Sequence, residues 1–270
     1  MAFKNRKIMK TVLITGGSSG IGFHVSRYFA KDGFHLLWVS LLEEELQTSK
    51  AQLESEIEGV RIDCLQKDLS KTDAASEVYD WVKENGWELD VLINNAGFGT
   101  FGYQQTIPME REMSMINLNV INLYQMNRLF LDDMLQKDAG TIINVSSNSS
   151  FQPGPRINTY ASTKAFVTHF SRGLQEELEI QKSKVRVMTV CPSAIKDTPF
   201  KETAKMEKAK TFKGLAFTTA AEVSSDIWKG FKRGKTFVVT GAKMRFFYAI
   251  RRLVPYGLQQ YIVRKETEVN

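Results

Sequence analysis

Two kinds of apolar pattern alternate along this chain. Short, nearly continuous runs of Val, Ile and Leu recur at 11–15, 35–40, 61–66, 91–94, 140–146, 185–191 and 236–240. Between them, near 20–31, 43–57, 71–85, 109–136, 158–182 and 220–233, apolar residues fall three and four apart. The runs predict strands buried on both faces, and the spaced stretches predict amphipathic helices. Strands separated by helices predict a doubly wound α/β fold with a mostly or wholly parallel sheet of about seven strands. No internal repeat or linker interrupts the pattern. The polar, Lys-rich stretch 196–217 is too long for an ordinary connection and is expected to be a substrate lid.

The 270 residues suit one domain, placed at 1–242, followed by a basic amphipathic C-terminal extension at 243–270. Cys64 and Cys191 both sit in apolar runs. They read as buried, reduced thiols, with no metal spacing, which points to the cytoplasm. The first ten residues are basic without the apolar stretch of a signal peptide, and no run is long enough to span a bilayer. Charge is uneven. Ten Lys or Arg and no Asp or Glu fall between Lys229 and Lys265, so the +6 net charge conceals a body of about −4 (26 basic against 30 acidic residues).

Candidate chemistry begins with Tyr160 and Lys164 in Tyr-Ala-Ser-Thr-Lys. Four apart on a helix, they share a face, and the ammonium is expected to lower the phenol pKa toward that of a working general acid or base. A lone Tyr-x-x-x-Lys proves little, since among eight tyrosines about one match arises by chance. A glycine-rich turn, Gly16-Gly17-Ser18-Ser19-Gly20-Ile21-Gly22, follows the first strand and opens the first helix. That is where a pyrophosphate meets a helix N-terminus.

With Thr15 the turn resembles the Thr-Gly-x-x-x-Gly-x-Gly motif of the short-chain dehydrogenase/reductase family, and other motifs follow in the family's order. Asp68-Leu69 ends the third strand, where the family's Asp contacts adenine. Asn94-Asn95-Ala96-Gly97 ends the fourth strand and resembles the family's Asn-Asn-Ala-Gly signature. Asn117, in Ile-Asn-Leu-Asn-Val, matches the family's helix asparagine. Ser147 stands thirteen residues before Tyr160. The resemblance covers about residues 10–200 and implies a Rossmann-type domain with Asn117, Ser147, Tyr160 and Lys164 as a catalytic tetrad. It implies cofactor contacts from Gly16, Ser18, Ser19, Gly20, Ile21, Gly22, Ser40, Asp68, Leu69, Asn95, Ala96, Gly97, Tyr160, Lys164, Pro192, Ile195 and Thr198. It departs from the family after the sixth strand, where Ser193 replaces a usual glycine. There, either Asp197 takes the usual threonine slot or the loop carries one extra residue before Thr198.

The family's NAD-preferring members carry an acid at the end of the second strand, and NADP-preferring members often carry an Arg one residue later. Here Ser40 and Leu41 stand there. Ser40 leaves room without repulsion, so NADP(H) is favoured over NAD(H), while Glu43 to Glu45 read as the solvated start of a helix.

The expected function is NAD(P)(H)-dependent interconversion of a carbonyl and a secondary alcohol. The small-molecule substrate is apolar or lipid-like, judging from the tail and from Phe98, Phe101 and Phe151. The rival reading is a nucleotide-sensing or membrane-associated scaffold that keeps the fold without turnover. His24, His35 and His169 read as packing or surface residues. A homodimer or homotetramer through 109–136 and 158–182 is what the resemblance implies. For the tail, three readings stay open: packing on its own domain or across a dimer, peripheral contact of 243–265 with the inner face of a membrane, and nucleic acid. The last is disfavoured because large aliphatics, and not stacking platforms, separate the arginines.

Overall fold

A computed structural model describes residues 9–206 and 218–268. Seven strands, β1 (Thr11–Thr15), β2 (His35–Ser40), β3 (Ile62–Gln66), β4 (Val91–Asn94), β5 (Thr141–Val145), β6 (Arg186–Cys191) and β7 (Phe237–Val239), form one sheet in the order β3-β2-β1-β4-β5-β6-β7. Every neighbouring pair is parallel. The strand order reverses between β1 and β4, where the chain leaves β1 for α1 on one face and β4 for the helices on the other, opening the crevice where such sheets hold ligands.

The helices follow from the same pattern. On one face, α1 (Gly20–Lys31), α2 (Glu43–Glu56) and α8 (Ala220–Lys232) cover Val12, Ile14, Trp38 and Met188 with Phe29, Leu46 and Ile227. On the other, α3 (Ala74–Glu84), α5 (Leu123–Gln136) and α6 (Asn158–Ile180) cover Leu13, Leu37 and Ile142 with Val78, Met126, Phe130 and Leu178. Alternate residues of β1 thus feed opposite cores, as the strand period of two requires.

The stretch expected as one helix over 109–136 is interrupted. α4 (Met109–Ile116) passes through a wider π turn, Asn117–Asn122, before α5. Of the expected lid, Phe200–Thr203 forms a short helix, α7, while 207–217 falls outside the described residues. The chain closes with α9 (Ala242–Ile250) and α10 (Tyr256–Glu266). These helices fold back onto the domain. The Tyr248 ring meets Phe151 and Phe237 at centroid distances of 4.7 and 5.2 Å, and Arg156 Nη1 donates to the Thr267 carbonyl at 2.8 Å.

One buried amide joins four of these elements. Asn144 Oδ1 on β5 accepts from Asn94 Nδ2 of β4 (2.9 Å) and Asn127 Nδ2 of α5 (3.1 Å). Its Nδ2 donates to Asn127 Oδ1 (3.0 Å) and to Ser171 Oγ of α6 (2.9 Å). All four side chains are buried. Asn144→Leu orphans three polar partners, each costing about 1 kcal/mol or more. Urea unfolding should show a loss of roughly 2–4 kcal/mol. A loss below about 1 kcal/mol would show that the network is not a structural tie.

Candidate active site

The cleft at the carboxyl ends of the strands has a volume of about 630 Å³. Its floor is the glycine-rich turn between β1 and α1. Gly16 and Gly20 have φ of +66° and +50°, a region that side chains other than glycine rarely adopt. A Cβ on Gly22 would stand 1.9 Å from the Gly16 carbonyl oxygen. Gly22 therefore supports the turn from behind, and it is not among the residues that line the cleft. The turn is stitched to β4. Thr15 Oγ1 accepts from the backbone N–H groups of Asn95 and Ala96 at 3.0 Å, and Asn95 Nδ2 donates to the Thr15 and Gly16 carbonyls at 3.0 and 3.2 Å.

Of the residues singled out in the sequence, Gly16, Ser18, Ser19, Gly20, Ile21, Ser40, Asp68, Leu69, Asn95, Ala96, Gly97, Ser147, Tyr160, Lys164, Pro192, Ile195 and Thr198 line the cleft. The loop after β6 is resolved by two contacts. Asp197 Oδ1 accepts from the Ala220 N–H at 2.8 Å at the start of α8, while the Thr198 methyl lies 3.2 Å from where a Gly20 Cβ would be. Thr198, not Asp197, faces the turn. This cradle, with N–H groups opening α1 and space kept by glycines, fits a dinucleotide phosphate.

At the far end, Tyr160 and Lys164 lie on α6 against the end of β5. Lys164 Nζ donates to the Val145 carbonyl at 3.0 Å and lies 5.9 Å from the centre of the Tyr160 ring. The helix is held there by Ser146, whose Oγ donates to the Lys164 carbonyl at 2.8 Å. Ser147 Oγ accepts from the Ser149 N–H at 3.1 Å and reaches Tyr160. Burial pushes the Tyr160 phenol up to about 12, with the Ser147 hydrogen bond pulling the other way. Burial likewise pushes Lys164 down to about 8. The direction for tyrosine reverses the sequence expectation, because a dry pocket penalises charge on both partners.

The asparagine beside this pair is Asn119 and not the expected Asn117. Asn119 Nδ2 donates to the Phe98 carbonyl at 2.9 Å and to Thr163 Oγ1 at 3.2 Å. A Cβ on Gly97 would lie 2.9 Å from Asn119 Oδ1 and 3.3 Å from Lys164 Nζ, so the two polar groups flank one point. Asn117 lies two residues from buried Met115, roughly 200° around the helix. Buried Met115, Asn119, Asn122 and Met126 mark the inner face, a periodicity the sequence already held.

Two features of the cleft escaped the sequence. Glu45 belongs to it: Ser18 Oγ lies 2.9 Å from Ser40 Oγ and donates to Glu45 Oε1 at 2.8 Å. Val263, Glu266 and Thr267 of the C-terminal segment also line the cleft, as do Phe200 and Met206, which pack together with Ile157. The sequence offered Glu45 only as part of the solvated start of a helix, with no sign of which wall it meets.

A family model described as short chain dehydrogenase matches residues 10–209. Very-long-chain 3-oxoacyl-CoA reductase-A of Danio rerio is 36% identical over 178 residues, 63% of this chain and 54% of that protein. The chain thus spans a little over half the length of the first curated relatives it matches. A short-chain dehydrogenase from Sphingobium yanoikuyae, solved with NADPH, superposes with a TM-score of 0.80 at 27% identity, covering 97% of this chain and 98% of that one. A bulky-bulky ketone specific alcohol dehydrogenase from Comamonas testosteroni superposes with a TM-score of 0.75 at 26% identity, covering 93% and 94%. Matched motifs, strand order and cleft agree, and the chain belongs to the short-chain dehydrogenase/reductase family.

Proposed function

We propose that this protein is an NAD(P)(H)-dependent oxidoreductase that reduces an apolar ketone to a secondary alcohol, or runs the reverse. The observation carrying this reading is the Ser147–Tyr160–Lys164 group at the end of a dinucleotide-shaped cleft, with Ser147 and Lys164 buried and Tyr160 half-buried. When bound, the dinucleotide supplies the hydride. The residues of the chain manage the proton and the carbonyl. Ser147 orients the carbonyl oxygen by hydrogen bonding, and Tyr160, held as the neutral phenol, delivers a proton to the forming alkoxide. Lys164 contributes positive charge beside the phenol, and Asn119 sits where it can hold a water between Lys164 and the loop at Phe98. The apolar wall of Ile157, Phe200, Met206 and Val263 suits a hydrocarbon-bearing substrate.

NADH or NADPH oxidation with a panel of apolar ketones tests this reading. Tyr160→Phe should lower the rate by about 100-fold or more while cofactor binding persists. Asn119→Ala should lose far more activity than Asn117→Ala. Equal rates for wild type and Tyr160→Phe would remove the catalytic assignment.

Lys164 also has a signature in stability. Its folded pKa of about 8 lies below the ordinary 10.5, so between about pH 8 and 10 the unfolded chain holds more protons. Stability contributed at this site therefore rises with pH across that window. In urea melts at pH 8 and pH 10, wild type should gain relative to Lys164→Met. Parallel pH profiles would show that Lys164 is not desolvated.

For the cofactor, Glu45 turns the balance toward NAD(H). Its carboxylate would accept from ribose hydroxyls and would repel a 2′-phosphate, Leu41 supplies no cation, and Lys67, which also lines the cleft, is ion-paired with Glu77. Titration by nucleotide fluorescence should show NADH bound about tenfold more tightly than NADPH, with the gap narrowed in Glu45→Gln. Tighter NADPH binding by wild type would overturn this preference.

A homodimer through α5 and α6 is supported by the exposed rings of Tyr124 and Phe166, which close on Phe170 at 5.5 and 5.7 Å.

A further inference from the structure

The last two helices carry an unusual surface. On α10, Val263 is buried and lines the cleft, so this side faces the domain, and Gln259 Nε2 donates to the Arg251 and Val254 carbonyls of the preceding turn at 2.9 and 2.7 Å. The opposite side carries Leu258, Tyr261, Ile262 and Lys265, spaced i, i+3, i+4 and i+7. Three of these four are large apolar residues in solvent, and Tyr261 is 58% exposed. An ordinary surface helix turns its apolar stripe inward. Here an apolar stripe also turns outward.

The neighbouring segment repeats the arrangement. On α9, Tyr248 packs inward while Phe246 and Phe247 are exposed, Phe246 by 63%. The turn between the helices projects Leu253 (83% exposed) and Tyr256. Seven large apolar side chains thus stand in solvent within 17 residues. Exposed Lys243, Arg245, Arg252, Arg264 and Lys265 are interleaved with them. Some of this charge is engaged locally, Arg245 with Asp226 at 3.0 Å and Lys265 with Glu268 at 3.0 Å. The stretch from Lys229 to Lys265 still holds ten basic residues and no acid.

We propose that α9, α10 and the turn between them form a docking surface for an anionic lipid bilayer, lying in the plane of its headgroups. Aromatic and aliphatic side chains enter the acyl boundary while Lys and Arg meet lipid phosphates. The helices have nine and eleven residues, and among the described residues no helix is long and apolar enough to cross a membrane, so the contact is lateral. A second copy of the chain is the poorer occupant, because self-pairing of this face would bring two acid-free basic stretches together. Nucleic acid would leave Leu253, Leu258 and Ile262 in water.

The docking does not depend on the chemistry of the cleft. Its consequence for substrate does rest on the ketone-reductase reading: Val263 and Thr267 line the cleft from the inner side of the same segment. Lipid on the outer face of α10 is therefore one helix away from the substrate end.

Flotation of the full chain with phosphatidylglycerol-containing vesicles and with phosphatidylcholine vesicles tests the proposal. Wild type should float with the anionic vesicles, bind neutral vesicles about tenfold more weakly, and be released by salt. Two variants at exposed positions, Phe246→Ser/Phe247→Ser/Leu258→Ser and Arg252→Glu/Arg264→Glu, should each lose flotation. Both should keep the wild-type melting temperature and NADH binding, which separates lost docking from lost folding. Absence of wild-type flotation, or flotation unchanged in both variants, overturns the proposal. So does lipid-free self-association abolished by the same substitutions, which would assign the face to a second copy. Docking without any change in the ketone-reduction assay leaves the cleft chemistry intact, and loss of Tyr160-dependent turnover leaves the docking intact.

Discussion

Tyr160 and Lys164, the pair to which the proposed chemistry is assigned, are placed by the anchorage of α6 to the middle of the sheet, which the Asn144 side chain shares with Ser146. A parallel sheet covered on both faces offers few polar groups for a helix to register against, because its interior is Val, Ile and Leu. One buried amide with four satisfied hydrogen bonds gives that register direction as well as affinity. Ser171 on α6 lies seven residues beyond Lys164, two turns along the same face. Fixing Ser171 to Asn144 fixes Lys164 to the Val145 carbonyl, and Tyr160 one turn further to the mouth of the cleft.

The fold was legible because its signal is local and redundant. Three strand spans, β1, β2 and β4, are marked by apolar runs whose limits match at both ends, and β3 and β6 match at their carboxyl ends. The family motifs sit at strand ends, where they announce themselves in order. What the sequence concealed was direction. Asn117 and Asn119 both lie in one short polar-apolar stretch, and only the inward face set by Met115 and Met126 tells them apart. Glu45 looked like one of three helix-opening acids. Its difference from Glu43 and Glu44 is a contact with Ser18, 27 residues away. Long-range pairings of this kind leave no periodic trace.

Tyr160 and Lys164 show how burial changes the meaning of a motif. In water an ammonium four residues away would draw a phenol toward ionisation. In this pocket desolvation acts on both groups, raising one and lowering the other, so charge on either is disfavoured until something in the cleft compensates it. The reactive pair is therefore tuned by what fills the cleft as much as by the pair itself.

The parallel order of the sheet also governs how the molecule must assemble. No neighbouring strands are joined by a hairpin, and the stitch from Thr15 to Asn95 closes a loop of 80 residues. Closing such a loop costs chain entropy before the contact returns anything, and topologies dominated by distant contacts fold slowly. The crevice between β1 and β4 therefore depends on a contact that spans three strand–helix units of the chain. The glycine-rich turn alone is not a nucleotide cradle: its second wall arrives from 80 residues away, with the docking of β4 beside β1.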